Sequence, residues 1–93
     1  MNLRDIKKDI KYVVGSFVDD CTIFLESHPG KNAAEVTDLI EEAVDLYNDL
    51  RDRVGKPEGG KKAFYTGIRK ELVEKVDALY DKLSEAVKKG LGE

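Results

Sequence analysis

His28-Pro29-Gly30-Lys31-Asn32 and Gly55-Lys56-Pro57-Glu58-Gly59-Gly60 are the two places where the helical pattern of this chain has to stop. They hold both prolines and four of the eight glycines. Proline lacks a backbone donor and glycine tolerates positive φ, so such clusters end helices and begin turns. They divide the chain into three segments, and each segment has an apolar period of three and four residues.

In the first segment the stripe is Leu3, Ile6, Ile10, Val13, Val14, Phe17, Cys21, Phe24 and Leu25. Asn2 is the expected N-cap, with Asp5 in the first turn. The pre-proline residue His28 is pushed out of the α region, so this helix should stop near Ser27. In the second segment the stripe is Val36, Leu39, Ile40, Ala43, Leu46, Tyr47, Leu50 and Val54. Asn32 is its expected N-cap, Glu35 stands where a reciprocal cap would form, and Gly55 is the expected left-handed stop. In the third the stripe is Tyr65, Ile68, Leu72, Val76, Leu79, Leu83 and Ala86 or Val87. Gly67 raises the question of a break, but Phe64 and Tyr65 extend the stripe through it. No alternating stretch is long enough for a strand.

The expectation is an all-α, up-down-up antiparallel three-helix bundle with helices at about 3–27, 33–54 and 61–89, forming one domain over residues 1–93. The third helix is the longest and should overhang at its C-terminal end.

Composition excludes several classes of protein. One Cys, one His and one Met among 93 residues leave no disulfide scaffold, zinc module or Met-rich groove. No apolar run approaches the roughly 18–20 residues that cross a bilayer. The first residues carry charges where a secretory leader needs an apolar stretch, so the expected setting is cytoplasmic, without a membrane partner. No cofactor, metal site or catalytic constellation is read, and an enzyme is not expected. Cys21 falls on an apolar stripe without a nearby base, and the lone His28 has no partner for catalysis or ligation. Tyr47 and Tyr80 read as boundary residues with the hydroxyl toward water.

The net charge of −3 hides a pattern. Residues 31–50 carry one base and six acids, whereas residues 51–70 carry seven bases and two acids. In an up-down-up bundle the start of the first helix, the end of the second and the start of the third meet at one pole. That pole should gather Lys7, Lys11, Arg51, Arg53, Lys61, Lys62, Arg69 and Lys70 as a candidate anion or nucleic-acid contact. Phe64 and Tyr65, beside these bases, could stack on a nucleobase. A P-loop is rejected, because Lys62 stands where Ser or Thr is needed and no strand precedes it.

The candidate partner contacts are of two kinds. Glu35, Asp38, Glu42, Asp45 and Asp49 lie opposite the apolar stripe of the second helix and could dock a basic partner. Tyr12 and Ile23 lie on the first helix away from its main stripe, three turns apart along one line, with Val18 at the margin. The leading functional expectation is a non-enzymatic protein-interaction module, with a homodimer as one form. The alternative is a nucleic-acid or phosphate-ligand binder acting through the basic pole.

Overall fold

Three helices account for nearly all of the structure, a computed structural model that describes residues 3–57 and 59–92. They are α1 (Leu3–Ser27), α2 (Ala33–Val54) and α3 (Lys61–Gly90). The expected boundaries hold to within one residue, and α3 runs unbroken through Gly67. Asn2, the expected first cap, and Glu58 lie outside the described residues, as does the side chain of Leu3. Every helix packs on both others, giving a three-helix bundle 48 Å long and 18 by 16 Å across. No strand occurs among the described residues.

The stripes close into one core. Phe17 is fully enclosed, with Ile6, Ile10 and Cys21 beside it on α1, Val36, Leu50 and Val54 on α2, and Leu72 on α3. Truncating an enclosed Phe to Ala typically costs about 3–5 kcal/mol, so Phe17 anchors the middle of the bundle. Its ring meets Tyr80 edge-on, with centroids 4.9 Å apart. The Tyr80 hydroxyl reaches the surface and donates to Asp20 at 2.7 Å. Among the described residues no polar or charged residue is buried as a whole.

The turns differ from expectation in instructive ways. Pro29 and Gly30 form the corner of a turn in which the Lys31 amide donates to the His28 carbonyl at 3.1 Å, and Gly30 supplies the positive φ of 78°. Asn32, expected as a side-chain cap, makes no capping bond and adopts a left-handed φ of 58°. Its side-chain amide instead donates to the Glu35 carboxylate and, at 3.1 Å, to the Ala86 carbonyl of α3. Asn tolerates the left-handed region better than other side chains, which lets one residue turn the chain and tie two helices. Gly55 is a correction: it is right-handed, with φ −75°, and the chain leaves α2 through a tightened turn in which Lys56 N donates to Arg53 O. The positive φ in that connection falls at Gly59.

The expected overhang of α3 is also corrected. Its C-terminal end is met by the first connection: a Cβ at Gly90 would sit 3.0 Å from the Lys31 carbonyl oxygen. Arg53, next to the end of α2, pairs with Glu71, well inside α3. The first turns of α3 therefore run past the end of α2 and pack beside the start of α1, where Arg69 pairs with Asp9.

Asn32→Asp tests the tie between the helices. It removes the donor to Ala86 and sets a carboxylate beside Glu35, so it should lower unfolding stability by about 1–3 kcal/mol in urea or thermal unfolding.

Candidate interaction surfaces

Three surfaces follow from how the helices pair. At the basic pole the structure brings Lys7 and Arg51 to one small cleft over Ile10 and Tyr47. Arg53 and Lys56 line another, of about 380 Å³, with Asp52 and Phe64. Several of these cations are already engaged. Arg53 donates to Asp49 at 2.9 Å and pairs with Glu71 across the helices. Arg69 pairs with Asp9. The Arg51 guanidinium lies 5.5 Å from the Tyr47 ring centroid. Lys61, Lys62 and Lys70 are exposed on α3 and make no ion pair among the described residues. Tyr65 is buried in the core, which removes it as a stacking platform, and Phe64 is half-buried against it.

The acidic face of α2 meets α3 along a groove of about 410 Å³ lined by Glu42, Asp45 and Asp49 on one side and Lys75 and Lys82 on the other. Lys82 Nζ lies 3.4 Å from Glu42, and Asp49 is held by Arg53. Glu35 accepts from Asn32. Asp38 and Asp45 are exposed and make no ion pair among the described residues. Much of the acidic face is therefore answered by bases within the same molecule.

The third surface is apolar. Tyr12 is 65% exposed and Ile23 60%, both on the outward side of α1. Periodicity left out Val44, which is 45% exposed and lies across the α1–α2 seam. Val44 lines a shallow groove of about 280 Å³ with Val14, Gly15, Val18 and Tyr47, and Lys11 and Asp19 stand at its edges. The groove is open because Gly15 has no side chain, and a Cβ there would meet nothing within 4 Å. A glycine in a helix interior costs about 1 kcal/mol relative to Ala, and packing inside this molecule gives no reason for it. The sequence signal for the groove was available: Gly15 follows Tyr12 by three residues and precedes Val18 by three.

The titratable groups add no reactive site. Burial, with a smaller contribution from the Asp20 charge, pushes the Cys21 thiol up to about 11. Burial and the hydrogen bond to Asp20 raise Tyr80 above its ordinary value. The His28 ring packs against Phe24 with centroids 5.1 Å apart. No group of three His, Cys, Asp or Glu that could hold a metal ion occurs among the described residues, and no described helix is long and apolar enough to cross a membrane.

No family model, curated protein or solved structure matches this chain. Any functional reading therefore rests on the surfaces themselves.

The buried thiol predicts an alkaline weakness. The folded state holds its proton to about 11, whereas the unfolded chain releases it at the ordinary value. Stability should therefore fall as pH rises from about 9 to about 11, and Cys21→Val should flatten that part of a denaturant-midpoint profile. In the folded protein at neutral pH, Cys21 should react with a thiol reagent only after unfolding.

Proposed function

We propose that this protein is a non-enzymatic protein-interaction module that works through the outward face of α1 and its junction with α2. One observation carries the reading: three large apolar side chains, Tyr12, Ile23 and Val44, stand exposed around a helix-interior glycine with open space above it. Val44 borders the concave α1–α2 groove with Lys11 and Asp19 at its edges, and Tyr12 and Ile23 add exposed apolar area on α1, a combination that fits an interface better than a solvated face. The single thiol, buried in the core, fits a reducing compartment such as the cytoplasm.

The alternative, anion or nucleic-acid binding at the basic pole, has less behind it. Arg53 and Arg69 already neutralise carboxylates of the same chain, and the protein carries a net charge of −3. Binding to nucleic acid draws on cations free to displace counterions from phosphates.

A photo-crosslinking residue placed at Val44, with one at Asp81 on the outer face of α3 as the control, tests the reading in cells that make the protein. Val44 should give discrete protein adducts and Asp81 should give few. Equal adduct formation at the two positions, or none at Val44, would remove the module reading.

A further inference from the structure

The seam between α1 and α2 changes sign along its length. At one end Lys7 and Arg51 flank the cleft over Ile10 and Tyr47. Tyr47 also lines the neighbouring groove of Val14, Gly15, Val18 and Val44, with Lys11 at its near edge and Asp19 at its far edge. Glu41 lies one turn before Val44, and α2 runs antiparallel to α1, so Glu41 falls toward the Asp19 end. Between Lys11 and Lys31 the chain has no Lys or Arg, and from Ala33 to Leu50 it again has none. Both walls of the far half therefore carry acids alone.

These charges are not answered at home. Lys7, Lys11, Asp19 and Glu41 are exposed and make no ion pair among the described residues. Lys8, with its ammonium 5.8 Å from the Tyr12 ring centroid, adds to the basic end. Arg51 is held over Tyr47 and lies 3.8 Å from Asp52. The α2–α3 groove is larger, but there Lys82 meets Glu42, Arg53 meets Asp49 and Lys75 meets Glu71. Between the two ends of the α1–α2 seam the surface is apolar and open, since a Cβ at Gly15 would meet nothing within 4 Å.

The polarity excludes several occupants. A polyanion, whether nucleic acid or an anionic membrane, is repelled by the acidic half, and a uniformly basic segment is repelled by the basic half. A groove between two antiparallel helices is where a further helix packs in a bundle, and the missing side chain at Gly15 lets its backbone come close. From Lys7 to Asp19 the seam runs about 18 Å, the length of three to four helical turns.

We propose that this groove takes one amphipathic helix of a partner protein, acidic over Lys7, Lys11 and Arg51, basic over Asp19 and Glu41, and apolar between. The proposal rests on the interaction-module reading and names the partner's chemistry. Because α1 and α2 run in opposite directions, their backbones favour neither direction of the bound helix. Its charge polarity fixes the direction. Tyr12 and Ile23 lie farther round α1, outside this groove, and the polarity does not depend on them.

Two synthetic peptides of about 18 residues test the proposal by amide chemical-shift titration of the full chain. Both have a leucine stripe at helical spacing and equal numbers of Glu and Lys. In the block peptide Glu fills one half and Lys the other, whereas in the interleaved peptide they alternate. The block peptide should shift the Gly15, Val18 and Val44 amides and bind at least tenfold more tightly than the interleaved one, with the difference shrinking at about 1 M salt. Gly15→Leu fills the groove and should abolish this binding, while far-UV circular dichroism shows the helices intact. A Lys7→Glu, Lys11→Glu variant makes the whole groove acidic and should remove the preference for the block peptide. Equal binding of the two peptides, no shift at millimolar peptide, binding that survives in Gly15→Leu, or shifts confined to the α2–α3 groove would each overturn the proposal. Discrete protein adducts at Val44 alongside any of these results would leave the module reading standing and remove only this partner chemistry.

Discussion

The structure depends on burying a core that contains no charged side chain. Ile6, Phe17, Leu50, Leu72 and their neighbours leave no described position inside the bundle for any ionised group. A chain so rich in charge must therefore place all of it on three long, narrow faces. Where those faces meet, charges either answer one another or repel, and the register of the helices decides which. Arg53 with Glu71, Arg69 with Asp9 and Lys82 with Glu42 are the outcome at the seams of α3. An exposed pair such as Lys82 with Glu42 contributes about 0–1 kcal/mol, so such pairs select a register more than they stabilise the fold.

Seen this way, the outward face of α1 is the exception. Arg4 and Lys11 precede its middle and Asp19 and Glu26 follow it, and none of the four makes an ion pair among the described residues. Its centre is a glycine that weakens the helix without serving the core. Its margins carry exposed Tyr12, Ile23 and Val44. A monomer gains nothing from any of these features, and that is the ground for reading the face as a docking surface.

Much of the fold was legible in the sequence because helix periodicity and helix stops are local properties. The stripes from Ile6 to Phe24, Val36 to Val54 and Tyr65 to Ala86 are the core, and the two Pro/Gly stretches are the connections. What periodicity does not contain is the offset between helices. Hence the overhang of α3 was expected at the wrong end, and Arg53 and Arg69 were read as free cations although both find carboxylates across a seam. Asn32 departs from its expected capping role for a related reason. The tie from Asn32 to Ala86 is a contact between residues 54 positions apart, which no local rule supplies. Of the candidate surfaces, Tyr12 and Ile23 were visible as apolar residues off their stripe. Val44 was not, because it becomes part of a groove only when α1 and α2 are set side by side.

That the face of Tyr12, Ile23 and Val44 docks a partner protein is tested most directly by comparing the wild type with a Tyr12→Ser, Ile23→Ser variant as bait in lysate of cells that make the protein. A protein retained by the wild type and lost from the variant, at unchanged far-UV circular dichroism, is the predicted result. Equal retention by the two baits, or retention by neither, would contradict it.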